Sequence, residues 1–164
     1  MGVSIGTLRR AVDELAAGHD LVRRRGRGTF VATHSPDRFL LQFFHVERAD
    51  GLREAPRVDL VSFERLRASD EPAQALNLRA GDPVTQIENR LQLQDNAVIY
   101  DRLTLSAVLF EGLTDKRFRE RPGTIYQLYQ SDYGMTVVRA LERARARSTD
   151  RHAARVLGLA LGNP

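Results

Sequence analysis

Residues 21–31 read Leu21-Val22-Arg23-Arg24-Arg25-Gly26-Arg27-Gly28-Thr29-Phe30-Val31. Two short apolar runs flank a turn holding two glycines, and glycine is the residue that accepts the positive φ of a tight turn. The segment is therefore expected to be a β-hairpin, with strands over Leu21-Val22 and Thr29-Phe30-Val31. Four arginines and no acid crowd its turn. A solvated hairpin tip is one reading. Like charges gathered this closely repel one another, however, so a polyanion is the better-fitting partner.

Just ahead of the hairpin, Leu8, Ala11, Val12, Leu15 and Ala16 fall at the spacing of one helical face, which predicts a helix over residues 4–17. Ser4 is placed to cap its start and Gly18 to stop it, while Arg9 and Arg10 flank the apolar stripe. A helix with small polar residues at its tip, followed by a basic hairpin, suits DNA: the helix end fits the major groove and the hairpin reaches phosphates.

The remaining composition narrows the class. Hydrophobic residues make up 42% and charged residues 28%, as in globular proteins, and no apolar run approaches the ~20 residues of a membrane span. No secretory leader is read at the N-terminus. Cysteine is absent, which rules out disulfides and thiolate metal sites and fits a cytoplasmic location. The formal charge is +4, and Lys116 is the lone lysine among the 25 cations. Such an arginine bias suits phosphate and base-edge contacts; high-GC codon usage produces the same bias.

Two stretches carry a family resemblance. The segment Val3-Ser4-Ile5-Gly6-Thr7-Leu8-Arg9-Arg10-Ala11-Val12-Asp13-Glu14-Leu15 resembles the recognition helix of the GntR family of transcription regulators, and Gly26-Arg27-Gly28-Thr29-Phe30-Val31 is similar to that family's wing. The resemblance implies DNA contacts from Ser4, Thr7, Arg9 and Arg10 on the helix, and from Arg25, Gly26 and Arg27 at the wing. Ile5 departs from the family, which usually places a polar residue there. The family also has two helices before this one, so the apolar face of Leu8, Val12 and Leu15 is expected to lack its usual partners.

Past His34-Ser35-Pro36 the character changes, and Pro36 makes a short linker plausible there. Strands are expected over residues 38–44, 58–66, 84–93, 98–105 and 136–146. Helices are expected over 69–76, with Ser69 as its cap, and over 124–133 and 150–157, with a helical turn at 109–113. Gln94-Asp95-Asn96 reads as a hairpin turn. This order, with Leu76-Asn77-Leu78, Gly81 and Pro83, Ile87-Glu88-Asn89-Arg90, Thr124-Ile125-Tyr126-Gln127-Leu128, Tyr133-Gly134 and Leu157-Gly158-Leu159, resembles the UTRA effector domain of the HutC branch over residues 38–164. The implied fold is α+β: a partial winged helix-turn-helix over residues 1–34, then a UTRA domain of chorismate-lyase-like fold over 35–164, an antiparallel sheet with helices. The resemblance further implies truncation at both ends, the C-terminal strands included.

The resemblance also implies a ligand pocket. Arg90 would pair with an anionic group, Asp101 would accept from hydroxyls, and Thr124 and Tyr126 would add donors at a helix start; the weaker alternative is that Arg90 only pairs with Glu88 or Asp101 across strands. The implied protein is a homodimeric repressor that binds a double-stranded DNA operator and answers to a small-molecule effector such as a sugar phosphate or carboxylic acid. No cofactor, metal or membrane partner is expected. His19, His34, His45 and His152 are scattered without ligand spacing, and no catalytic motif appears. The alternative is a lyase-like enzyme of the same fold, but an enzyme has no use for the arginines of the hairpin.

Overall fold

The computed structural model describes residues 2–17, 21–24, 26, 28–31, 43–47, 51–138 and 140–160. They group into two compact units, one of residues 1–44 and 123–143, the other of 45–122 and 144–164. The expected boundary at His34-Ser35 falls outside the described residues, as do Gly18 and Arg38.

In the first unit α1 spans Ile5–Ala17. Ser4 Oγ accepts from the Thr7 backbone N–H at 3.1 Å, the N-cap bond expected of it. Strands β1 (Leu21–Arg24) and β2 (Gly28–Val31) pair antiparallel, Leu21 opposite Val31. Gly26 and Gly28 take φ of 73° and 103°, the left-handed region that a side chain would resist. None of the α1 side chains is buried, and Leu8 remains 58% exposed.

The same unit holds α4, as it is numbered here in chain order, at Ile125–Tyr133. A capping box starts it: Gln127 N–H donates to Thr124 Oγ1, and Thr124 N–H donates to Gln127 Oε1. Gly134 ends it with a left-handed φ of 65°. Leu128 and Tyr129 are its buried residues, and the Tyr126 ring lies 4.7 Å from that of Phe43.

The second unit is built on a three-stranded antiparallel sheet in the order β3 (Arg57–Arg67), β4 (Pro83–Leu93) and β5 (Asn96–Ser106). Between β3 and β4 lies α2 (Asp70–Ala75), whose Ala73 packs with Ala68 and Val84. Ser69 holds the N-cap position there, but its hydroxyl makes no capping bond. A two-residue turn joins β4 to β5, with Gln94 and Asp95 at φ of 48° and 63°, the geometry that matches the twist of paired strands. After a turn over residues 107–112 come α3 (Asp115–Arg119), which the apolar pattern did not announce, and α5 (Arg151–Leu157), capped by Asp150.

The strand expected over 136–146 does not form: its described residues are irregular and mostly exposed, Leu141 most of all. Alternating residues supply a strand's faces, but a ladder partner supplies its backbone bonds, and no described residue pairs with this segment. Residues 43 and 44, the described end of the strand expected over 38–44, are a turn and an irregular residue.

The register of the sheet sorts its side chains cleanly. Residues directly opposite one another share a face, and neighbours along a strand alternate. Ile87 opposes Phe63 and Leu103, Leu91 opposes Val58 and Ile99, and Asn89 opposes Leu60 and Asp101. That face is apolar apart from Thr85, Asn89, Asp101 and Arg65, with Arg67 and Asn96 at its ends. The other carries Gln86, Glu88, Arg90 and Gln92 on β4, opposite Asp59, Ser62 and Glu64 on β3 and Tyr100, Arg102 and Thr104 on β5. A bulge at Val61 keeps the two faces in step along β3.

Candidate functional site

At the tip of α1, Ser4 Oγ and Thr7 Oγ1 lie 2.9 Å apart, so the two small polar residues hold one another in an exposed position. Arg9 is exposed, and Arg10 pairs with Glu14 one turn on at 3.2 Å. Ile5, also at this tip, is 72% exposed. On the hairpin, Arg23 forms an ion pair with Asp13 of α1, so one of the four arginines does have an acid, supplied by the neighbouring helix. Gly26 sits in the turn; Arg25 and Arg27 lie outside the described residues.

The four residues expected to meet an effector are distributed as follows. Thr124 and Tyr126 stand together at the start of α4 in the first unit; Arg90 and Asp101 belong to the second. Within the sheet Arg90 and Asp101 are on opposite faces, because Arg90 opposes Tyr100 whereas Asp101 opposes Asn89. One ligand lying on one face cannot touch both. The expected cross-strand partners of Arg90 are also replaced: its guanidinium donates to Asp59 Oδ2 at 2.9 Å, not to Glu88 or Asp101. The Asp59 oxygen accepts from Gln92 Nε2 as well, and Gln92 in turn accepts from Arg57.

Beside this network Glu88 is buried and fully engaged. Tyr100 Oη donates to its Oε1 at 2.6 Å and Arg102 Nε donates to the same oxygen at 3.0 Å, while His152 Nε2 of α5 lies 2.9 Å from Oε2. Burial pushes the Glu88 carboxyl up, but the bonds from Tyr100, His152 and Arg102 outweigh it and hold the group below the usual glutamate range. Burial together with the bond to Glu88 raises the Tyr100 hydroxyl. Sequence reasoning placed His152 among scattered histidines. It could not see that an α5 residue lands on a strand 64 positions earlier.

On the apolar face Asn89, 1% exposed, donates from Nδ2 to Asp101 Oδ1 at 2.8 Å. Burial raises the Asp101 carboxyl above the usual aspartate range, against the lowering pull of Asn89 and the charge of Arg121. Asn89 Oδ1 is buried with no hydrogen-bond partner, and so is Thr85 Oγ1 on the same face. A groove of about 440 Å³ is lined in part by Phe63 and Arg65, which oppose Ile87 and Thr85 across the strands; Arg65 there donates to the Leu113 carbonyl at 2.7 Å. Among the described residues no cluster of His, Asp and Glu could hold a metal ion, and no helix is long and apolar enough to cross a membrane.

Residues 51–164 match the UTRA domain family. Among solved structures, the ligand-binding domain of a protein from Bordetella bronchiseptica, assigned to the GntR-family transcriptional regulators, is 33% identical, with a TM-score of 0.65 over 68% of this chain and 70% of that one. YydK from Bacillus subtilis, described as a transcriptional regulator, superposes with a TM-score of 0.61 at 15% identity, covering 99% of this chain and 68% of its own. PhnF from Mycobacterium smegmatis gives 0.57 at 23% identity, over 97% and 69%. The last two likenesses speak for the fold. The family match and the Bordetella domain go further, and both point to a regulator's ligand-binding module rather than an enzyme: the chain belongs to the UTRA family, the ligand-binding domains of GntR-type transcription regulators.

Proposed function

We propose that the chain is the effector-sensing part, with a portion of the DNA-reading module, of a cytoplasmic homodimeric repressor of the HutC branch. The observation that carries this reading is the UTRA match over residues 51–164 together with what precedes it, a Ser4-capped helix followed by an arginine-rich hairpin. On this reading Ser4, Thr7, Arg9 and Arg10 meet a DNA operator from α1, and Arg25, Gly26 and Arg27 meet it from the hairpin. A small anionic metabolite met by residues among Arg90, Asp101, Thr124 and Tyr126 changes the operator affinity, which requires it to bind one arrangement of the dimer better than another. Of the residues expected to meet that metabolite, Asp101 carries the reading furthest, because it stands on an apolar face beside an unsatisfied acceptor. Arg90 is held by Asp59 on the other face through Nη2, and its Nε is buried without a partner, so it stays a candidate for an anionic group of the metabolite.

The DNA arm is tested by fluorescence anisotropy of the 164-residue chain on labelled duplex over a series of salt concentrations. Each phosphate contact contributes about 0.9 to the slope of log affinity against log salt, so Arg25→Ala with Arg27→Ala should flatten that slope by up to about 1.8. A slope unchanged by both substitutions removes the hairpin from the DNA. The operator-specific part is expected to be weak in this chain, since Leu8 and Leu15 lie exposed at 58% and 45%.

A further inference from the structure

We infer that the exposed arginines of residues 145–155, in the unit that carries the sheet, form a further polyanion surface whose occupant is the phosphate backbone of double-stranded DNA. This goes beyond the reading above, which gives the DNA contacts to α1 and the hairpin alone.

The segment reads Arg145-Ala146-Arg147-Ser148-Thr149-Asp150-Arg151-His152-Ala153-Ala154-Arg155, four arginines against one acid. It therefore carries a net +3 within a chain whose formal charge is +4. All four arginines are exposed, and all belong to the second unit. Arg151 and Arg155 stand one turn apart on α5 and share a face of that helix. Other residues fix the helix to the protein: Ala154 is buried, and His152 Nε2 lies 2.9 Å from Glu88 Oε2 of β4. Arg145 and Arg147 lie just ahead, in the irregular exposed run that leads into α5.

What sets these arginines apart is the lack of an acid. On the sheet Arg57, Arg90 and Arg102 are paired with Asp59 and Glu88. Among the described residues no side chain forms an ion pair or hydrogen bond with the guanidinium of Arg145, Arg147, Arg151 or Arg155. Asp150, the single acid, serves as the cap of α5, where its carboxylate accepts the Ala153 N–H at 2.8 Å; with Arg147 it shares only a longer-range attraction. Like charges left unmatched in one short stretch repel one another, and a polyanion relieves that repulsion.

The neighbouring residues choose the polyanion. Apart from His152, held by Glu88, residues 145–155 contain no ring on which the bases of a single strand could stack. They contain no large apolar side chain to enter a membrane interface, and no aromatic anchor of the kind that centres a protein interface. Duplex phosphates need none of these. They need cations with a planar fork of donors, which is what arginine supplies.

The test is fluorescence anisotropy of the full 164-residue chain on labelled duplex of arbitrary sequence, over about 50 to 200 mM salt. Three variants each lose two charges. Two lie in the segment, Arg145→Gln with Arg147→Gln and Arg151→Gln with Arg155→Gln. The third, Arg79→Gln with Arg119→Gln, is the control, taken from exposed arginines elsewhere in the same unit. Each segment pair is expected to flatten the slope of log affinity against log salt by up to about 1.8, which over this salt range is about a twelvefold difference in affinity lost. The control should move the slope by less than one contact, about 0.9. Glutamine keeps the helix preference of arginine, and Arg145→Lys with Arg147→Lys, which keeps the charge, should retain the wild-type slope.

Flattening by about 0.9 or more in either segment pair, with the control unmoved, upholds the inference. A slope that neither pair moves overturns it, and so does a control that flattens the slope as far, since net charge alone would then be at work. A slope that follows only Arg25→Ala with Arg27→Ala overturns it and leaves the hairpin reading intact. A slope that follows the segment pairs and ignores the hairpin substitutions upholds it and removes the hairpin. Binding to phosphatidylserine vesicles in preference to duplex, lost in the same pairs, would assign the arginines to a membrane and overturn it. A chain that binds no duplex at about 50 mM salt overturns it too.

Discussion

The two faces of the β3–β4–β5 sheet use polar residues in opposite ways. On the face of Glu88 and Arg90 every strand contributes charge and most of it is matched: Glu88 has three partners, and Asp59 receives Arg90 Nη2 and Gln92, while Arg90 Nε is buried without a partner. On the face of Asn89 polar residues are few, yet two of their atoms have no partner. A polar group that the fold satisfies serves the fold. One that the fold buries and leaves unsatisfied costs stability, and is kept for something that comes from outside.

If the Glu88 face is structural, its loss should be the most damaging change in the sheet. Glu88→Leu strands the Tyr100 hydroxyl and leaves α5 without the His152 contact, and should cost roughly 2–3 kcal/mol in urea denaturation. A cost under ~0.5 kcal/mol would show that the network adds nothing.

Acid should act on the two faces with opposite sign. The Glu88 carboxyl is held below the ordinary glutamate value, so its stabilisation is full above that value and is lost as the pH falls through the lowered one. The Asp101 carboxyl is raised by burial, so its contribution is present below the ordinary aspartate value and is lost as the pH rises through the raised one. Urea midpoints taken between about pH 3 and 7 should therefore fall on the acid side in the wild type and stay flatter in Glu88→Gln. Asp101→Asn should gain on the wild type as the pH rises. A gain for Asp101→Asn that is constant with pH would remove burial as the cause.

Arg90 tests the comparison at its small end. Its pair with Asp59 is 41% and 33% exposed, so screening reduces its worth, and Arg90→Ala should cost less than about 1 kcal/mol.

Much of this was legible in the chain, for identifiable reasons. The strands β3, β4 and β5 and the helices α1, α4 and α5 lie where the sequence pattern places them; of the two caps read from the sequence Ser4 makes its bond and Ser69 does not, while Thr124 and Asp150 cap α4 and α5. Position along a strand was legible too, and parity alone separates Arg90 from its neighbour Asn89. What could not be read was registration. Whether Arg90 shares a face with Asp101 depends on how β4 and β5 are offset, and an offset of one residue exchanges the faces. Asn89 enters the sequence reading only as one residue of the Ile87-Glu88-Asn89-Arg90 motif, with no role of its own; its unpaired oxygen shows only in the structure. The segment 136–146 misled for a related reason, since alternation describes a strand's faces and says nothing of its partner. The short helix α3 is held by a Thr114 cap, with Phe118 its buried residue, too little sequence for a period to show.

The comparison of faces is tested most directly by one pair of titrations. The sugar phosphate or carboxylic acid that binds the wild-type chain most tightly is measured calorimetrically against Asp101→Asn and against Arg90→Ala. The expected result is a loss of about tenfold or more for Asp101→Asn and less than about twofold for Arg90→Ala, a difference of roughly 1 kcal/mol between two residues whose strand positions are directly adjacent to a cross-strand pair. The reverse pattern, with binding abolished in Arg90→Ala and unchanged in Asp101→Asn, would place the effector on the charged face and contradict the division of labour between the two.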